Sequence, residues 1–152
     1  MGKTLSSRTL AAKELPQLSP PVLLCSDMPD FNKAVMEAGL RTVSLNLPLA
    51  RSLVGLQVRE MLAALMEKIH ALLPKTEPVY LTDYEMLFDP RYELDVIHLF
   101  VDLSRRNRLI VRWCGALDGE TLTYAEQGCT DFKRYNIKDY EVTVVKWEGW
   151  AR

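Results

Sequence analysis

A chain of 152 residues with 48% apolar content can fill one continuous core but cannot supply two. Its 19 basic and 20 acidic side chains leave a formal net charge of −1, which excludes a global field drawing it to nucleic acid or a membrane surface, so any DNA contact must be local. Cys25, Cys114 and Cys129 are widely spaced without a CxxC pair, and no signal-like or membrane-length apolar run appears, so the expectation is a soluble, cytoplasmic protein without disulfides, zinc or membrane partner.

Residues 1–21 are polar and end in Leu18-Ser19-Pro20-Pro21, which predicts a flexible leader with one helical turn near Leu10 to Leu15. The domain proper is expected over 22–146. Val22-Leu23-Leu24-Cys25 is a continuous apolar run, the pattern of a strand buried on both faces. A helix follows from Phe31 to Glu37 and stops at Gly39. Thr42 to Asn46 reads as a second strand whose Asn can cap the next element, with Pro48 suited to a helix's opening turn.

From Gln57, residues Val58, Met61, Leu62, Leu65, Met66, Ile69, Leu72 and Leu73 recur at helical spacing until Pro74. Val79 to Asp83 is the third strand, Leu94 to Leu103 a helix apolar all round, and Leu109 to Trp113 the fourth strand. Asp118-Gly119 predicts a hairpin between that strand and Thr121 to Tyr124, and Glu141 to Val145 closes the domain before a tail at 147–152. Strands alternating with helices predict an α/β fold: a mostly parallel sheet of about five strands, helices on both faces, and a C-terminal β-hairpin.

In such a sheet ligands bind beyond the carboxyl ends of the strands. There the third strand ends in Asp83-Tyr84-Glu85, which resembles a Walker B segment, with Asp83 placed to hold Mg²⁺ on a phosphate. Were the chain to stay extended, Asp83 and Glu85 would share a face, leaving Glu85 to orient a water as the catalytic residue. The matching phosphate loop should follow the first strand, where glycines let backbone N–H groups converge. Here stands Asp27-Met28-Pro29-Asp30-Phe31-Asn32-Lys33-Ala34, in which Lys33 falls at the lysine position, Asp27 and Asn32 replace glycines, and Ala34 replaces the Mg²⁺-binding hydroxyl. ATP and Mg²⁺ are therefore candidate ligands with a degraded cradle, and an ordinary loop and helix start is the competing reading.

Gly2-Lys3-Thr4 lacks the preceding strand and loop of a phosphate site, so it is read as chance. His70 is expected on the solvent side of its helix and His98 inside an apolar one. Arg105, Arg106 and Arg108 form a basic run at a helix end, serving either the helix dipole or DNA backbone. Lys133 and Arg134 alternate with Phe132 and Tyr135, a second candidate nucleic-acid contact that a half-buried strand explains as well. Trp147 and Trp150 could anchor a partner or cover an end of the sheet.

Val79 to Pro90, Leu122-Thr123-Tyr124-Ala125-Glu126 and Asp131-Phe132-Lys133-Arg134-Tyr135, with Ser44-Leu45-Asn46-Leu47, together resemble the BrxF family, small P-loop-containing proteins of type 3 BREX anti-phage systems. The resemblance runs from Val22 to Val145. It implies a subunit of a bacterial defence assembly with other defence proteins as partners, Asp83 and Glu85 at the Walker B position, and Lys33 at the Walker A lysine. The glycine-rich loop associated with that pattern is missing, which shifts the expectation from hydrolysis toward an assembly or regulatory subunit. An active ATPase, completed by an arginine from a neighbouring copy in a homo-oligomer, and a DNA-binding accessory module remain the alternatives.

Overall fold

The computed structural model describes residues 1–26 and 31–149, without the side chains of residues 31, 32 and 34. The segment expected to form the phosphate loop, Asp27 to Asp30, and Trp150 lie outside the described residues. Nine strands and four α-helices are described: β1 (Lys3–Ser6), β2 (Val22–Cys25), α1 (Phe31–Glu37), β3 (Arg41–Ser44), α2 (Asn46–Leu53), α3 (Val58–Leu72), β4 (Val79–Thr82), α4 (Val96–Leu103), β5 (Leu109–Arg112), β6 (Ala116–Asp118), β7 (Thr121–Tyr124), β8 (Lys133–Asn136) and β9 (Thr143–Lys146). Six of the strands form one all-parallel sheet in the order β1-β9-β2-β5-β4-β3, and β6-β7-β8 form a small antiparallel sheet.

Alternating strand residues split the core between the two faces of the sheet. Leu23, Val79, Leu81, Leu109, Val111 and Val144 pack with the buried residues of α2, α3 and α4 and with Leu122 and Tyr135 of the small sheet. Val22, Leu24, Tyr80, Ile110 and Val145 pack on the other side with Val35 of α1 and with Leu10 and Leu15. This division follows from handedness. From β2 the chain crosses over β5 and β4 to β3, then returns strand by strand, and right-handed crossovers in opposite directions must lie on opposite faces.

The N-terminal segment corrects the expected flexible leader. Lys3–Ser6 adds a parallel edge strand to β9, in register Lys3 with Thr143 and Ser6 with Lys146. Leu15 is fully buried and Leu10 nearly so, each worth about 1.5–3 kcal/mol of apolar burial. Ser7 secures the end of β1, donating from Oγ to the Gly149 carbonyl at 2.7 Å and accepting from the Glu148 N–H at 2.7 Å.

The hairpin forms around Asp118-Gly119, but its first arm is β6, with Ala116 opposite Thr123, and not the fourth parallel strand. Gly115 lies in the break between β5 and β6 at a point where only glycine fits, since a Cβ there would lie 1.8 Å from the Thr123 carbonyl oxygen. A third strand, β8, pairs with β7 and completes the small sheet. The two histidines exchange their expected places: His70 is buried at 7% exposure, whereas the His98 side chain is 64% exposed. α4 buries Val96, Ile97, Leu99, Phe100 and Leu103 but leaves the His98 side open, so it is not enclosed all round.

Candidate functional site

β2 sends the chain to one face of the sheet and its neighbour β5 sends it to the other, so their carboxyl ends flank the crevice in which open α/β sheets bind ligands. A cleft of about 370 Å³ opens there, lined by Ser26 after β2, Thr82 to Glu85 after β4, and Arg112 to Gly115 after β5. A neighbouring cleft of about 400 Å³, sharing Ser26 and Gly115, runs on toward Lys146, Trp147 and Glu148 at the end of β9.

Asp83 and Glu85 both line the first cleft, but not as members of an extended strand. β4 ends at Thr82, Asp83 turns left-handed at φ 51°, and Glu85 begins a single helical turn over Glu85–Phe88. An Asp tolerates that conformation better than most residues because its short polar side chain bonds locally. The two carboxylates are gripped from the end of β3. Ser44 Oγ donates to Asp83 Oδ2 at 2.6 Å, and Asn46 Nδ2 donates to Glu85 Oε2 at 2.8 Å. Asn46 Oδ1 in turn accepts from the Met86 N–H at 3.1 Å, so one amide joins the start of α2 to the turn carrying Glu85. The expected role of Asn46 as a helix cap is thereby corrected: Leu45 occupies the cap position, and the Asn46 side chain serves the Glu85 turn.

Tyr84 forms the floor. Fully buried, it donates from its hydroxyl to the Arg112 carbonyl at 2.6 Å and accepts from the Cys114 N–H at 3.2 Å, tying β4 to the end of β5. Burial, helped by the neighbouring Cys114, holds its phenol well above the ordinary range, so it remains a donor. Burial also pushes the Cys114 thiol up to about 11, which removes it as a thiolate nucleophile near neutral pH. Arg112 is the one cationic residue among the described residues lining this cleft.

Lys33 lies on α1 and is exposed; among the described contacts none joins it to Asp83 or Glu85. The basic run lies at the opposite, amino-terminal end of the sheet, where α4 leads into β5. Arg105 pairs with Asp102 at 3.6 Å, Arg106 with Glu67 at 3.1 Å, and Arg108 donates to the Pro16 carbonyl at 2.7 Å. Within one chain these arginines and the Asp83 cleft are therefore separate features. Lys133 and Arg134 are successive residues of β8 and point to opposite faces, Lys133 sharing its face with buried Tyr135. Trp147 is buried against the α1-side core instead of standing exposed.

Ser26, Ser44, Asn46 and Arg112 were absent from the sequence-based candidate site residues, and Cys114, on a strand end with no base nearby in sequence, was poorly supported as a nucleophile. Ser44 and Asn46 carried a signal: polar side chains at the carboxyl end of a strand adjacent to that of Asp83. Among the described residues no helix is long and apolar enough to cross a membrane, and no group of three His, Cys, Asp or Glu side chains is arranged to hold a metal ion. No protein-family model matches this chain, and neither a curated protein nor a solved structure does.

Proposed function

We propose that this chain is a P-loop-like subunit that binds nucleotide weakly or not at all and serves an assembly or regulatory role, in the bacterial anti-phage setting that the BREX resemblance implies. The observation that carries the first half is the state of the two carboxylates. Each already accepts a hydrogen bond, Asp83 from Ser44 and Glu85 from Asn46, and the sequence after β2 has Asp27 and Asn32 where a phosphate cradle needs glycines. Asp27 and Asp30 also add negative charge to that stretch of sequence, which opposes binding of a triphosphate by it.

Titration of the full chain with Mg-ATP by calorimetry, with a phosphate-release assay alongside, tests this. The expected result is no turnover and no saturable binding in the micromolar range. Turnover that disappears in Asp83→Asn and Glu85→Gln, variants that preserve shape and remove charge, would establish the active-ATPase reading instead. That second reading is favoured by one observation, the convergence of Asp83, Glu85 and Arg112 on a single cleft. The assembly role predicts capture of proteins encoded beside this one when they are co-expressed. A monomer that captures none of them refutes it.

A further inference from the structure

At the amino-terminal end of the sheet, away from the Asp83 cleft, a separate cleft of about 300 Å³ is lined by His70, Lys75, Arg106 and Asn107. Three segments meet there: the last turn of α3, the loop before β4, and the loop between α4 and β5. His70 and Asn107 are both more than nine-tenths buried. Their polar atoms form a directed chain. Asn107 Nδ2 donates to the Pro74 carbonyl at 3.0 Å, which fixes the amide so that Oδ1 faces His70 Nδ1 at 2.7 Å. Since Oδ1 can only accept, Nδ1 carries the proton in the neutral ring, which leaves Nε2 as the lone-pair acceptor of a residue that lines the cleft. Lys75 and Arg106, two cationic residues, line the same cleft.

We propose that this cleft is an oxyanion site for protonated phosphate, the P–OH donating to His70 Nε2 while the charged oxygens meet Lys75 and Arg106. The combination of one acceptor and two cations is what distinguishes phosphate from sulfate, since near neutral pH phosphate keeps a proton to donate and sulfate does not. Two features oppose an anion here. Glu67 pairs with Arg106 at 3.1 Å, and α3 and α4 both present their negative ends at this edge. The pair is exposed and therefore weak, and the helix-end carbonyls of His70 and Leu103 already accept from the Leu73, Arg106 and Asn107 N–H groups.

The test follows the His70 ring nitrogens by long-range ¹H–¹⁵N NMR in the full chain during titration with inorganic phosphate, then sulfate, then a 5′-phosphorylated oligonucleotide. Expected is a saturable phosphate response at Nε2, at least tenfold weaker affinity for sulfate, at least tenfold loss in Lys75→Ala, and tighter binding in Glu67→Gln, which frees Arg106. An oligonucleotide response at the same nitrogen marks a terminal phosphate as the source, and its absence beside a phosphate response marks the free ion. Equal affinity for sulfate, a non-saturating response, or indifference to both surface variants would overturn the proposal and leave the cations as partners of the helix ends alone.

Discussion

Gly115 carries a heavier structural demand than any charged residue of the cleft. A methyl group added there would lie 1.8 Å from the Thr123 carbonyl oxygen, 2.8 Å from its carbon and 3.1 Å from Trp113 Nε1. The first two are backbone atoms of β7, so Gly115→Ala must push the small sheet away from the end of β5. The indole N–H of Trp113 is shared between the Ala116 carbonyl at 3.2 Å and the Thr123 carbonyl at 3.1 Å, and Trp113 is buried. Displacing β7 costs about 1–3 kcal/mol of overpacking strain. Loss of the indole's partners adds about 1–3 kcal/mol. For a domain of this size each kcal/mol moves Tm by about 2–4 °C, so a fall of roughly 10 °C is expected in calorimetry. Near-UV circular dichroism should change with it, because Trp113 packs edge-on against Phe88 and Tyr135. A Tm lowered by less than about 2 °C with an unchanged aromatic spectrum would refute the reasoning.

Other outcomes follow from the same contacts. His70→Ala should cost about 1–3 kcal/mol by leaving buried Asn107 without its partner, while His98→Ala stays within about 0.5 kcal/mol; denaturant melts compare the two. Asp83→Gly should remain within about 1 kcal/mol of the parent, since relief at φ 51° offsets the lost Ser44 bond, whereas Asp83→Val should be clearly less stable. Cys129, exposed, should alkylate rapidly near neutral pH and Cys114 slowly, as mass spectrometry of timed iodoacetamide reactions would show. On the alkaline side, folding raises Cys114 from 9.0 to about 11 and Tyr80 and Tyr135 from 10.0 to about 12. The unfolded chain therefore releases these protons first, so stability should be complete below pH 9 and fall as pH climbs toward 12.

Central strands were legible because a strand buried on both faces must be apolar throughout: Val22–Cys25 has that pattern in sequence and is buried at all four positions. β1 was illegible for the complementary reason. Lys3–Ser6 is an edge strand with its first two residues exposed, and only its pairing with β9, about 140 residues away, defines it. The histidines were misplaced because helical periodicity reports one face of an isolated helix. His70 adjoins that face at the end of α3, where the loop bearing Asn107 closes over it. Asp83 and Glu85 were found as strand-end carboxylates, but their grip by Ser44 and Asn46 depends on β3 lying beside β4, a fact of topology that no local pattern states.

That grip gives the two carboxylates a use within the fold itself. Glu85 and Asp83 join β4 to β3 and α2 at the edge of the sheet, and Tyr84 between them joins β4 to β5. The Asp-Tyr-Glu segment is thus a three-way tie across the carboxyl ends of adjacent strands, with a structural use that does not require nucleotide. If that use is sufficient, Asn46→Ala, which removes the Glu85 contact and the Met86 N–H acceptor together, should cost about 1–3 kcal/mol, and Mg-ATP should restore none of it. A ligand that binds only the folded state at a hundred times its Kd returns about 2.7 kcal/mol, so a rise in Tm of several degrees on adding millimolar Mg-ATP would reverse the conclusion and make the tie secondary to binding.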